Sequence, residues 1–335
     1  MRDRKAEHID LALEEGMQLH GNFFDAFFFD HLALPEIDYA AIDLSVEFLG
    51  RRLQAPLLIS CMTGGTEQAT RINRNLAIAA EAAGIALGVG SQRKALEDST
   101  QADSFKVREL APSIPLLANL GAVQLNYGFG IAECRAAVEM VEADALVFHL
   151  NPLQEALQPE GQCDFSNLVD RMAKVADALP VPVVVKEIGC GLSAEAARRL
   201  RDAGLTILDT AGLGGTSWAR IEAKRSDEVE LGEVFAEWGV ATPRSIRQLR
   251  EVGGLTIIAS GGVRNGIDVA KAIALGGDVV GLAQPFLAAA AESAERTVAK
   301  AGRLTRELRI AMFCAGARTV AELQQVAIHR RHRYE

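Results

Sequence analysis

The sequence predicts an α/β protein, a closed (β/α)8 barrel over residues 56–335 with an N-terminal arm and barrel-capping segment over 1–55 and a long C-terminal helical region. Three observations lead there. Short runs of branched apolar residues recur eight times from residue 57 onward. Each precedes a loop bearing glycine or a polar residue and then a stretch of 3.6-residue apolar spacing, which makes a βα unit. No strong linker separates the units, so 335 residues, about two domains at roughly 150 residues each, read as a single domain overall. A doubly wound open sheet is the second reading.

The strands fall at 57–60, 85–89, 116–119, 145–149, 183–187, 206–209, 256–260 and 279–282. Several of the intervening helices end in glycine, at Gly84, Gly204, Gly253 and Gly276, which supplies the left-handed residue that stops a helix. A barrel places its ligands at the C-terminal strand ends. Polar and glycine residues gather there: Cys61-Met62-Thr63-Gly64-Gly65 after the first strand, Ser91-Gln92-Arg93 after the second, Asn119 at the third. His149, Asn151, Gln154 and Glu155 follow the fourth, Lys186-Glu187 ends the fifth, and Gly214-Gly215-Thr216-Ser217 follows the sixth. Gly261-Gly262-Val263-Arg264-Asn265 and Ala283-Gln284 complete the ring.

Composition excludes several functions. The chain has 35 Lys+Arg against 44 Asp+Glu, net −9, which repels nucleic acid and anionic membrane surfaces. No apolar run approaches the ~18 residues of a spanning helix, and the N-terminus has no apolar stretch of a secretory signal, so a cytoplasmic location is expected. Five dispersed cysteines form no CxxC and suit reduced thiols better than disulfides or zinc.

Two glycine pairs at adjacent strand ends, Gly214-Gly215 and Gly261-Gly262, beside the helix opened by Asn265, suggest a phosphate site built on unpaired helix donors. Lys186 ends an apolar strand and needs an anion. A reduced flavin ring offers one, and the Glu187 carboxylate is the alternative. Glu155 suits Mg²⁺, which takes one or two carboxylates and leaves the rest to phosphate and water, or else pairs with an arginine. Arg4, Lys5 and His8 form a cationic helical face or a solvated arm. Phe23, Phe24, Phe27, Phe28 and Phe29 line an apolar pocket or pack over the barrel mouth, and 329–333 reads as a disordered basic end.

These motifs resemble type 2 isopentenyl-diphosphate isomerase, an FMN-dependent TIM barrel, over nearly the whole chain. The most specific match is His149-x-Asn151-x-x-Gln154-Glu155-x-x-Gln158-Pro-Glu-Gly161, joined by Met62-Thr63-Gly64-Gly65, Ser91-Gln92-Arg93, Lys186-Glu187 and Gly214-Gly215-Thr216-Ser217. The resemblance implies FMN held by Cys61, Met62, Thr63, Ser91, Asn119, Lys186, Thr216, Gly261, Gly262, Arg264, Ala283 and Gln284. It implies a substrate diphosphate met by Arg4, Lys5, His8, Ser91, Gln92, Arg93, His149, Asn151 and Gln154, with Gln154 and His149 catalytic and Glu155 on Mg²⁺. Ala211 stands where a serine is expected near the flavin, which removes one hydrogen bond.

The implied reaction moves a double bond, from isopentenyl to dimethylallyl diphosphate, without net redox change. Reduced FMN would act as an acid/base catalyst, and NAD(P)H would serve only to reduce it. A homo-oligomer, tetramer or octamer, is the family's habit. The enzyme rival, an FMN-dependent 2-hydroxy-acid oxidase, needs a histidine base between strands six and seven, and the six histidines, at 8, 20, 31, 149, 329 and 332, leave that interval empty. A flavin-binding protein without catalysis is the rival from another class.

Overall fold

Eight parallel strands close into a barrel: β1 (Leu57–Ile59), β2 (Ala86–Gly88), β3 (Leu116–Gly121), β4 (Ala145–His149), β5 (Val183–Lys186), β6 (Ile207–Asp209), β7 (Thr256–Ser260) and β8 (Val279–Leu282). They neighbour one another in chain order, and β8 closes on β1 with Val280 opposite Leu57 and Leu282 opposite Ile59. The structure, a computed structural model, describes residues 4–19 and 21–331, without the side chains of 4–6 and 15. The open-sheet alternative is excluded by the closure.

Both faces of every strand are buried, which explains why the strands read as continuous apolar runs instead of alternating ones. Leu58, Ala86, Leu117, Val147, Val184, Ile258 and Val279 point inward and fill the barrel. Leu57, Ile59, Leu116, Phe148, Val185 and Ile257 point outward into the core shared with the helices. The interior is plugged at the bottom by Phe48 and Leu53 of the hairpin Val46–Phe48/Arg51–Leu53. That hairpin is tied to the barrel floor by Arg51, which donates to Asp144 at 2.7 Å, and Asp144 also accepts from Arg108 and from the N–H of Leu116. Phe148, fully buried, illustrates the stakes: truncation to alanine would cost about 3–5 kcal/mol.

The N-terminal segment lies over the C-terminal mouth. Helix Arg4–Leu13 packs against helices Trp218–Arg225 and Gln284–Glu292. Leu19 N–H donates to Gly215 O and Ser217 N–H to Met17 O, which bond this segment to the loop after β6. The phenylalanine cluster is packing and lines no part of the cavity described below. Phe24 and Phe27 are buried, and Phe27–Phe29 pairs antiparallel with Ile328–Arg330. Residues 328–331 of the basic end are therefore held by this strand, contrary to the expected disorder, because their backbone finds a partner edge. His329 Nε2 also lies 3.2 Å from Asp30. His20 and residues 332–335 lie outside the described residues.

Candidate active site

A cavity of about 670 Å³ opens at the C-terminal ends of the strands, a volume typical of small-molecule sites. Of the residues singled out by sequence, Cys61, Met62, Thr63, Ser91, Arg93, Asn119, His149, Asn151, Gln154, Glu155 and Lys186 all line it. So do Thr216, Gly261, Gly262, Arg264, Ala283, Gln284 and, from the N-terminal helix, His8. Gln92 does not. Its side chain is fully buried behind the wall, accepting from Asn119 N–H at 2.9 Å and donating to Ala137 O at 2.8 Å. It props the wall because its amide bridges backbone groups of β3 and of the helix Ile131–Val141, so a direct substrate contact is not what its position provides. Arg4 and Lys5 open the N-terminal helix, and their side chains lie outside the described residues.

The parallel register sets His149, Lys186 and Asp209 side by side at the ends of β4, β5 and β6. Lys186, only 7% exposed, donates its ammonium to the backbone carbonyl of Glu187 at 2.6 Å. The Glu187 carboxylate is engaged elsewhere: its Oε2 accepts from the N–H groups of Ile188 and Gly189, both at 2.7 Å, and from Cys190 and Gly191. Glu187 therefore does not pair with the Lys186 ammonium, which lines the cavity. His149 Nδ1 lies 2.8 Å from Asn119 Oδ1, an oxygen that can only accept, so Nδ1 carries the proton and Nε2 is left as an acceptor. Burial, and after it the Lys186 charge, push the His149 pKa down to about 3, so the imidazole is neutral at physiological pH. The Cys61 thiol beside them is pushed up to about 11 by burial and is inert at neutral pH.

The β7 side corrects one expectation. The helix Gly266–Ala274 does not offer free donors, because Asn265 Oδ1 accepts from Ile267 and Asp268 N–H and Glu307 accepts from Gly266 N–H at 2.8 Å. Capping has consumed that end of the helix. What remains for an anion is the glycine backbone. Gly261 and Gly262 adopt φ of +107° and +70°, and a Cβ on either would overlap the carbonyls of Gly212 or Gly214, so the two loops pack backbone on backbone. Ser60 Oγ, buried in the same cavity wall, has no hydrogen-bond partner among the described residues. An orphaned hydroxyl, a lysine ammonium and side-chain-free loops at the β6 and β7 ends are what a phosphorylated flavin requires: a donor-lined ring edge and a close approach for phosphate.

Opposite lies an amide and carboxylate cluster. Asn151 donates to Gln154 Oε1 at 3.0 Å and to Glu155 Oε1 at 2.8 Å. Glu155 Oε2 accepts from Gln158 and from Gln162 N–H at 2.7 Å. The amide of Gln154 in turn donates to Glu222 Oε1 at 2.6 Å. Glu222 is fully buried on helix Trp218–Arg225, accepts from Arg225, and has His8 Nε2 3.0 Å away without hydrogen-bond alignment. Burial alone would raise its pKa, but His8, Gln154 and Arg225 outweigh burial and hold it below the usual carboxylate range. Sequence reasoning missed Glu222, since with Arg225 three residues on it resembles a solvated surface pair. The available signal was its place on the apolar stripe of Ala219 and Ala223. Among the described residues no three His, Cys, Asp or Glu side chains converge as a metal cage, which leaves Glu155 as a single carboxylate facing the cavity beside an amide set.

Comparison with known proteins agrees with this geometry. A family model described as FMN-dependent dehydrogenase matches residues 156–330. The chain is 50% identical over 333 residues to an isopentenyl-diphosphate delta-isomerase from Synechococcus sp., covering 98% of this chain and 96% of that one. Its likeness to the isopentenyl-diphosphate delta-isomerase of Paracoccus zeaxanthinifaciens is 49% over 332 residues, covering 96% and 95%. Among solved structures, mandelate oxidase with (S)-2-phenylpropionate superposes with a TM-score of 0.65 at 19% identity, covering 97% of this chain and 90% of that one, a likeness of fold alone. The cavity of this chain takes its histidines from His8 and His149. The barrel, with its neutral His149 and amide cluster, thus agrees with the sequence relationships: the chain belongs to the FMN-dependent isopentenyl-diphosphate delta-isomerase family.

Proposed function

We propose that the protein interconverts isopentenyl and dimethylallyl diphosphate on reduced FMN, and that the residues divide between the two sides of the cavity. The observation that carries this division is the Gln154–Glu222 hydrogen bond facing the Lys186 floor across one continuous cavity. FMN would be held by Cys61, Met62, Thr63, Ser91, Asn119, Lys186, Thr216, Gly261, Gly262, Arg264, Ala283 and Gln284. Reduced FMN supplies an electron-rich ring that stabilises positive charge on carbon and a nitrogen that exchanges a proton.

The chain's own work is to bind, orient and manage protons. Arg93 and His8, with Arg4 and Lys5 from the same helix as His8, would meet the diphosphate. His149 Nε2 and Asn151 Oδ1 are both acceptors, the amide hydrogens of Asn151 being taken by Gln154 and Glu155, so the two would meet the diphosphate through water or a protonated phosphate oxygen. Gln154 cannot titrate, so it orients the reacting carbons and passes hydrogen bonds between substrate and Glu222. Glu155 would share Mg²⁺ with the diphosphate: a divalent ion turns two mutually repelling anions into ligands of one centre. NAD(P)H would reduce the flavin without being consumed per turnover. A cytoplasmic homo-oligomer, tetramer or octamer, completes the proposal.

The test is direct. Purified protein should be yellow or take up FMN, and once reduced under anaerobic conditions it should convert isopentenyl diphosphate. A protein that binds no FMN, or binds it and leaves the substrate unchanged when reduced, overturns the proposal.

A further inference from the structure

Asp209 has no part in the site as described, yet it sits directly beside the residue on which the flavin side depends. It ends β6, is 2% exposed and pairs in register with Lys186 on β5. It lies beneath the cavity wall formed by Lys186, Ala211 and Ser260 and is not itself part of that wall. One carboxylate oxygen, Oδ1, accepts from the hydroxyl of Ser260 and from the N–H of Ala211 at 3.1 Å. Both donors stabilise a carboxylate, and the neighbouring ammonium of Lys186 does the same. Burial is the largest influence and raises the Asp209 pKa above the ordinary carboxylate value, and the Lys186 charge and the two donors limit that rise. The groups facing Asp209 are therefore Lys186 from β5, Ser260 from β7, the backbone at Ala211, and the Cys61 thiol from the end of β1, whose pKa feels Lys186 and Asp209 with opposite sign.

We infer that Asp209 is a positioning residue, the buried counter-ion that shares the charge of Lys186 at this cavity and so limits how strongly a bound flavin would favour its reduced, anionic form. A lysine alone at the cavity would pull a bound flavin towards reduction. A carboxylate beside it makes the floor neutral overall, so an anionic ring gains only what geometry leaves of the Lys186 field. The inference rests on FMN binding at this cavity.

The experiment has one arm with flavin and one without. In FMN-loaded protein, Asp209→Asn removes one negative charge. At a dielectric near 20 and a distance of ~10 Å, the ratio of reduced to oxidised flavin at fixed potential should rise about tenfold. For a two-electron couple that is an upward shift of about 30 mV, read by spectroelectrochemical titration. In flavin-free protein, the pH dependence of Cys61 alkylation, followed by peptide mass spectrometry, should move to lower pH in the variant, because Asp209 no longer opposes the thiolate. An unchanged or lowered flavin potential overturns the inference, as does an unchanged Cys61 profile, since either result means that Asp209 carries no charge at the floor. The thiol arm needs no cofactor, so failure of FMN to bind is distinguishable from failure of the charge assignment. Asp209→Ser, equally neutral and smaller, repeats both arms should the asparagine variant not fold.

Discussion

Gln154 and Glu222 lie 68 positions apart in sequence, yet the amide of Gln154 donates to Glu222 Oε1 at 2.6 Å, with both side chains brought to the mouth by different βα units. Glu222 is fully buried, so the contact is screened little by solvent and fixes the rotamer of Gln154.

Glu222→Ala should therefore lower kcat by about tenfold or more while leaving FMN binding unchanged. The amide of Gln154 loses its acceptor and Arg225 its buried partner, each an unsatisfied group worth about 1–3 kcal/mol. Steady-state kinetics of the reduced enzyme alongside FMN titration would show the split. Wild-type kcat in this variant would mean that Gln154 needs no anchor.

Lys186→Met should weaken FMN by about tenfold and disfavour its reduced form, since the methionine keeps the shape but removes the buried charge. Fluorescence titration gives the affinity, and retention of wild-type affinity and potential together would contradict a charge role for Lys186.

Glu155→Gln should lose most activity and recover part of it as Mg²⁺ is raised, through KM and not kcat, with FMN binding intact. The glutamine keeps the shape but is a poorer ligand for a hard cation. If the variant shows the wild-type Mg²⁺ dependence, the cation is held by phosphate and water alone.

His149 supplies a pH prediction. Its folded pKa, about 3, lies below the ordinary value of 6.5, so between these limits the unfolded chain binds a proton that the native chain does not. Stability contributed by the neutral imidazole is present above pH 6.5 and is lost as pH falls towards 3. Urea midpoints of the flavin-free protein at pH 7.5 and pH 5 should differ more for wild type than for His149→Asn. Equal losses in the two proteins would rule His149 out as the source.

During turnover the reduced enzyme should not consume NAD(P)H in proportion to product, because the reaction carries no net redox change. Anaerobic assays that follow nicotinamide absorbance and product together decide this, and one-to-one oxidation would be incompatible with isomerisation.

The eight strands, the clustering of polar residues at their C-terminal ends and many of the polar side chains that line the cavity were legible in the sequence. Those signals are local: apolar runs buried on both faces, glycine at helix ends, and chemistry-bearing residues directly after a strand. Other features depended on the fold. Gln92 reads as a loop residue beside Arg93, but its amide turns inward to satisfy Asn119 N–H and Ala137 O. Gly266 reads as the open start of a helix until Glu307, 41 positions later, caps it. Glu222, Asp209 and the ordered Ile328–Arg330 edge were likewise decided by tertiary structure. The physical reason is the same in each: a local pattern sets which backbone conformation a segment prefers, whereas the partner of a buried polar group is chosen by closure of the barrel, which brings distant segments together where water cannot serve as the alternative.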